Sequence, residues 1–293
     1  MGNATATSTE IRPLTPREFE QFRRLAYEKF GFDLRNGKET LLSARLGKKI
    51  RELNFHSFQE YYRHVLEDRT GEALVALIDA LTTNHTSFFR EQAHFEFLRR
   101  TILPGLRERD HIAIWSAACS TGEEPYSIAF GLLEELGEAA LAKVSILATD
   151  ISTRVLASAQ RGAYPAERFD GIPAHRLRRY LLRGEKRFKD WYQVKPQVRA
   201  VVEFRRLNLM ERFSQLGPFP VIFCRNVMIY FDKPTQQDLV NRLAGCLEPG
   251  GYLLIGHAES LNRVHHPLQY VRPAIYRKPE ASAAGAEPGR GRR

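Results

Sequence analysis

Residues 112–130 read IAIWSAACSTGEEPYSIAF. The apolar run Ile112 to Trp115 has the character of a buried strand, and the small residues after it, with one glycine at Gly122, suit a tight turn. Pro125 is then expected to open an amphipathic helix that sets Ile128, Leu132 and Leu133 on one side and stops at Gly137. Strand, turn and helix are the entry to a nucleotide-binding fold. Yet the turn carries two carboxylates, Glu123 and Glu124. In open α/β sheets the ligand lies beyond the carboxyl ends of the strands, beside this first turn. A pyrophosphate there calls for Gly-x-Gly-x-x-Gly, so that backbone amides can approach it. Two glutamates repel such a ligand.

A phosphate-free ligand with positive charge suits the loop better, and S-adenosylmethionine, with its sulfonium, α-amino group and adenosine, has that chemistry. A simpler account is that Glu123 and Glu124 only complement the positive end of the helix dipole. The following strand, KVSILATD, weighs against it by ending in Asp150. A carboxylate at the end of the second strand is placed for ribose hydroxyls; a capping role for the next helix is one that Ser152 fills equally well. A later strand, VIFCRNVMIYFD, is apolar to Cys224 and then presents Arg225 and Asn226 at its carboxyl end, with Tyr230 in the turn beyond.

From Pro16 to Leu81 the pattern is helical throughout, with Phe19, Phe22, Leu25 and Ala26 at helix spacing. TTNHTSFFRE (82–91) interrupts it, and a helix resumes through Phe95, Leu98 and Ile102 to Pro104. Candidate strands follow at 112–116, 144–149, 200–204, 220–224, 252–256 and 270–276, with helices at 125–136, 152–160 and 234–247. This alternation predicts an α/β fold, a mostly parallel sheet covered on both faces. The expected organisation is a disordered stretch at 1–14, a helical domain at 15–82, a linker and connecting helix at 83–104, an α/β domain at 105–278 and a disordered tail at 279–293. Residues 162–199 exceed an ordinary connection and read as a small hairpin-containing subdomain, with the basic, aromatic tract RLRRYLLRGEKRFKDWYQV.

The 293 residues carry a formal net charge of +10. Residues 1–80 hold 13 Lys/Arg against 12 Asp/Glu, whereas residues 154–206 hold 14 against 5, so the excess sits mid-chain. A smaller cationic cluster falls at Arg45, Lys48, Lys49 and Arg51. No apolar run is long enough for a bilayer, and MGNATATSTE lacks the basic and apolar regions of a secretory signal. Cys119, Cys224 and Cys246 show no metal-ligand spacing and read as small buried residues in a reducing cytoplasm.

Taken together, TTNHTSFFRE, WSAACSTGEEPYSIA, ATDIS, NLM, FCRNVMIYFD and GGYLLIGHAES occur in the order found in the chemotaxis receptor methyltransferases. Over residues 15–277 the chain resembles this CheR family of protein-glutamate O-methyltransferases. The resemblance implies an all-helical N-terminal domain, then a Rossmann-like S-adenosylmethionine-dependent methyltransferase domain with an inserted small antiparallel β-subdomain. It implies that Asn84, Thr86 and Arg90 reach the cofactor from the interdomain segment, and that Glu124 and Asp150 hold its methionine and adenosine-ribose parts. Asn208, Leu209, Cys224, Arg225 and Asn226 line the rest, and Arg90 and Tyr230 lie nearest the transferring methyl. It also implies a cytoplasmic enzyme recruited to membrane receptor arrays, with chemoreceptors as partners: their helical methylated region, and a receptor tail peptide at the β-subdomain.

The implied reaction explains why the motifs hold no obvious base. A glutamate side chain, with a pKa of about 4.3, is already ionised at neutral pH, and a sulfonium is already a good leaving group. In-line positioning and removal of water remain, and no metal is required. Two other readings stay open from the residues: a nucleic-acid methyltransferase, suggested by the basic tract with Tyr180, Phe188, Trp191 and Tyr192, and a cofactor-binding sensor without catalysis. Against the first, the Arg225 strand lacks the Asn-Pro-Pro-Tyr type of motif that stacks a flipped base.

Overall fold

A computed structural model describes residues 12–34, 37–82 and 86–280. The disorder expected at the two termini, and Asn84, fall largely or wholly outside these residues.

Four helices occupy the first part of the chain: α1 Pro16–Phe30, α2 Glu39–Glu52, α3 Phe58–Glu67 and α4 Glu72–Leu81. α1 opens on a capping box in which the Thr15 hydroxyl accepts from the Glu18 amide and the Glu18 carboxylate accepts from the Thr15 amide. Phe22, Leu46, Ile50, Tyr61 and Leu77 close the interior of this bundle, each almost wholly buried. α5 Gln92–Phe97 then runs through a π turn at Leu98–Ile102 into α6 Leu103–Leu106.

The second part alternates: β1 Ile112–Ala117, α7 Glu123–Leu136, β2 Val144–Asp150, α8 Thr153–Arg161, β3 Ala163–Pro165, α9 Ala174–Tyr180, β4 Leu181–Arg183, β5 Trp191–Val194, α10 Pro196–Arg199, β6 Val202–Arg206, β7 Phe219–Cys224, α11 Lys233–Gly245, β8 Leu247–Ile255, β9 Gln269–Arg272 and β10 Ile275–Arg277. The large sheet has the order β6-β2-β1-β7-β8-β10-β9; the first five strands are parallel and the last two antiparallel. β3, β5 and β4 form a separate three-stranded antiparallel sheet within the insertion.

Strand order reverses at β1: the chain moves to β2 on one side and returns to β7 on the other. The loops after β1 and β7 therefore diverge over their carboxyl ends, opening a crevice. The apolar strands explain the layering. Trp115, Ile222 and Leu253 face a core shared with the helical bundle, while Ile114, Val221 and Tyr126 face a second core on the opposite side. The bundle also reaches the β7 turn directly: Phe32 bridges Phe231, and the Asp33 amide donates to the Tyr230 carbonyl at 2.8 Å.

Three expectations are corrected. α7 begins at Glu123 and not at Pro125. Proline is tolerated two residues inside because the first turn's amides have no intrahelical acceptor, so both glutamates become helical. The strand expected at 270–276 is a hairpin, turned at Ala274 with φ 63°. β8 starts five residues before the expected 252, carrying Pro249-Gly250-Gly251 along the sheet with a register shift against β7.

Gly122 caps α7 with φ 97°, and a Cβ there would stand 2.8 Å from Ala159 Cβ and 2.9 Å from the Tyr164 hydroxyl. Both backbone strain and crowding act at this position. Gly122→Ala is expected to lower unfolding free energy by about 1–3 kcal/mol, read as a shifted urea midpoint; an unchanged midpoint would show that the turn relaxes without cost.

Candidate active site

A cavity of about 470 Å³ opens over the carboxyl ends of β1, β2 and β7, with α4, the segment after it and the β7 turn as its other walls. The turn after β1 has three left-handed residues in alternation, Ala118 (φ 64°), Ser120 (φ 51°) and Gly122 (φ 97°). That geometry curls the loop around the strand end. Asp150 locks it: one carboxylate oxygen accepts from the Ser120 amide at 2.9 Å and the other from the Ser152 amide at 3.0 Å. Ser152 itself caps α8 through its hydroxyl, which leaves Asp150 on the cavity wall. Burial pushes the Asp150 carboxyl up to about 6, and the two amides pull against that rise.

The two glutamates of the opening loop diverge. Glu123 turns away from the cavity, accepting from the Thr121 hydroxyl at 2.6 Å and approaching Arg168 of the insertion at 3.7 Å. Glu124 lines the cavity; its Oε1 accepts from the Ser116 hydroxyl at 2.7 Å and its Oε2 from Arg225 at 3.0 Å. Burial raises the Glu124 carboxyl, and Arg225 opposes the rise. The same guanidinium donates from Nε and Nη2 to Glu91 at 3.3 and 3.0 Å and from Nη2 to the Arg90 carbonyl. A buried arginine is stable only where its donors are met, and here two carboxylates and a carbonyl meet them.

Thr86, Arg90, Glu124, Asp150, Asn208, Leu209, Arg225, Asn226 and Tyr230 all lie on the cavity wall. Arg90 sits between two left-handed residues, Phe89 (φ 54°) and Glu91 (φ 60°), a kink that carries it out of the helical path. Asn208 donates to the Lys29 carbonyl at 2.9 Å and accepts from the Met210 amide at 3.0 Å, tying the loop after β6 to the end of α1. Tyr230 stacks on Phe32, ring centroids 5.1 Å apart, and so is both packed and cavity-lining. Cys224 is the exception. Its side chain is wholly buried, because the strand's alternation turns it with Ile222 into the core shared with the helical bundle.

Several contributors carried no expected role. Phe30, Phe32, Ile78 and Asp79 line the cavity from the helical part, and long-range packing alone brings them there. Glu91 stands inside TTNHTSFFRE, and only its partners reveal what it does. Glu259 accepts the amides of Asn226 at 3.0 Å, Gly256 at 2.6 Å and Ile229 at 3.2 Å, fixing the turn that bears Tyr230.

Glu91, His94 and His257 bring possible metal-ligand atoms within 4.8 Å of one another. The Glu91 oxygens, however, accept from Arg225, from Asn226 Nδ2 at 3.2 Å and from the His257 amide at 3.1 Å. The guanidinium holds the place beside Glu91 that a cation would take, and burial together with Arg225 pushes buried His94 down to about 3. Glu91 is thus a hydrogen-bonded brace behind the cavity, while both ring nitrogens of buried His94 lack a hydrogen-bond partner.

Comparison with known proteins agrees with this layout. Residues 17–82 match the all-alpha domain of the CheR methyltransferases, and residues 84–276 match their SAM-binding domain. A chemotaxis protein methyltransferase of Borreliella burgdorferi is 42% identical over 274 residues, covering 90% of this chain and 95% of the relative. Chemotaxis protein methyltransferase 2 of Pseudomonas aeruginosa is 42% identical over 263 residues, covering 89% and 93%. An Escherichia coli chemotaxis protein methyltransferase is 37% identical over 269 residues, covering 92% and 93%. With a helical domain and an α/β domain meeting over one strand-end cavity, the chain belongs to the CheR methyltransferase family.

Proposed function

We propose that the protein methylates glutamate side chains in the cytoplasmic helical region of membrane chemoreceptors, with S-adenosylmethionine as donor, forming glutamyl methyl esters. The observation that supports it most is the cavity at the strand switch point, walled by Glu124 and Asp150 and free of a glycine-rich phosphate loop. Its chemistry fits the cofactor. Asp150 suits ribose hydroxyls, Glu124 suits the α-amino group, and Leu209 and Ile151 offer apolar surface to the adenine. When bound, the cofactor supplies an electrophilic methyl on a sulfonium. The chain's own work is positional. Arg90 orients the incoming carboxylate through its fork of donors without removing its charge. Tyr230, held on Phe32 and by the Glu259 clamp, closes the side facing the acceptor and keeps water out. An ionised glutamate needs no general base, so neither residue is asked to move a proton.

For the acceptor, α2 presents Lys48 and Lys49 at the rim of a cleft between α2, α4 and the start of α8, and this face suits a glutamate-rich helix. Arg45 belongs to the same cleft, but its guanidinium donates to the Leu81 carbonyl and braces α4. The β3-β5-β4 sheet, with exposed Leu182, Phe188 and Trp191, offers strand edges to a receptor tail peptide. In this reading the enzyme is cytoplasmic and gathers at receptor arrays; no helix among the described residues is long and apolar enough to cross a membrane.

The direct test is transfer of tritium from methyl-labelled S-adenosylmethionine. Receptor-containing membranes should gain base-labile label while RNA gains none. Label confined to RNA, or absent from both, would overturn the reading. Charge reversal at Lys48 and Lys49 should cut receptor methylation and its salt dependence with cofactor affinity unchanged, and survival of both would remove α2 as the docking face.

Asp150→Ala is expected to weaken S-adenosylmethionine and its demethylated product alike, by about 1.5–3 kcal/mol, since ribose hydrogen bonds do not change during transfer. Calorimetry on both ligands checks it. Because Asp150 titrates near 6, its ionised, accepting form is lost on acidification, so wild-type affinity should fall as pH drops through about 6. The fold has the opposite dependence on this group: a raised carboxyl value means ionisation costs stability, which declines as pH rises from about 3.9 through about 6.

A further inference from the structure

The segment that leads into α5 has two faces. Thr86, Ser87 and Arg90 line the cavity, whereas Phe88 and Phe89 pack away from it, against α7 and the insertion. The insertion holds this outer face at three places. Phe169 stacks on Phe88 with ring centroids 4.5 Å apart, and Arg168 donates to the Thr86 carbonyl at 3.1 Å. Arg176, on α9, lies over the Phe89 ring with its guanidinium carbon 4.4 Å from the centroid.

The Arg176 contact is the most constrained of the three. Its Nε and Nη2 donate to the two carboxylate oxygens of Glu134 on α7, at 2.7 and 2.8 Å. Such a bidentate pair fixes the plane of the guanidinium, and the flat face then covers the ring. Phe89 depends on that cover. It is an aromatic residue at φ 54°, a conformation it keeps only where its surroundings impose it. Its amide donates to the Ser127 hydroxyl at 2.9 Å, so α7 holds the backbone while Arg176 holds the ring. Arg90 is the next residue, and a turn at Phe89 redirects it.

We infer that Arg176 is a positioning residue for methyl transfer: from the insertion, it keeps Phe89 in its left-handed conformation and so sets the direction in which Arg90 enters the cavity. The insertion then completes the active site as well as offering strand edges to a receptor tail. The inference rests on the reading of Arg90 as the group that orients the acceptor carboxylate. Ser127 on the Phe89 amide and Arg225 on the Arg90 carbonyl hold the backbone on either side of that link. The cofactor walls therefore stay in place without Arg176, and the aim of one side chain is lost. A residue that only fastened α9 to α7 would affect stability and leave turnover alone.

The test sets the kcat for methylation of receptor-containing membranes beside the calorimetric affinity for S-adenosylhomocysteine, both on the full chain. Arg176→Gln should lower kcat about fivefold and leave the dissociation constant within about twofold. Glu134→Gln loosens the same guanidinium from the α7 side and should act in the same direction; it carries the test if Arg176→Gln does not fold. Phe89→Leu removes the ring itself. Combined with Arg176→Gln it should be no slower than the slower single variant, because both act through one contact. Undiminished kcat in the folded variants, losses that multiply in the double variant, or an affinity that falls in step with kcat would overturn the inference and leave Arg176 a fastener of the insertion. Wild-type protein that transfers no methyl group to receptor membranes would instead sink the proposed reaction, a failure visible without any variant.

Discussion

A guanidinium buried at the end of β7 is the constraint on which the site depends. Arg225 is held by Glu91, Glu124 and the Arg90 carbonyl, so the segment before α5, the first turn of α7 and the β7 loop must meet at one point. Removing Arg225 would leave two largely buried carboxylates without their counter-charge, at a cost that runs to several kcal/mol. The kink around Arg90, the early start of α7 and the clamp on the β7 turn are consistent with that single requirement. Strand order makes the meeting possible, because β1 and β7 are neighbours whose following loops diverge.

The acidic groups near the cavity have separate tasks set by their surroundings. Glu123 is drawn toward Thr121 and Arg168, Glu124 toward Arg225 and the cavity, and Asp150 toward two loop amides. Asp150 therefore shapes the β1 loop even before any ligand is considered. The methyl transfer to an ionised carboxylate proposed above would suit such a site: that reaction asks for alignment and exclusion of water, and the buried groups supply a preorganised electrostatic frame.

Much of this was legible in the residues. Apolar runs alternating with amphipathic stretches place the parallel strands to within a few residues, and the long connection before β6 holds the small antiparallel sheet. The departures have local causes. Gly122 caps α7 earlier than Pro125 suggested, Ala274 turns what looked like one strand, and the alternation of β7 turns its last residue, Cys224, into the core. Nine of the expected site residues line one cavity, because motifs at strand ends are gathered by the sheet itself.

What the sequence determined by itself is the pattern: periodicity selects strands and helices, and strand-end polar residues mark one edge of the sheet as chemical. The partners of each charge were decided only in three dimensions. Glu91 and Arg225 are 134 positions apart, and Phe32 and Tyr230 nearly 200, yet each pair is in contact. Hydrophobic periodicity specifies which face of an element is buried. It does not specify which distant side chain shares that burial, and electrostatic pairing in a dry interior depends on distances that only the packed fold sets.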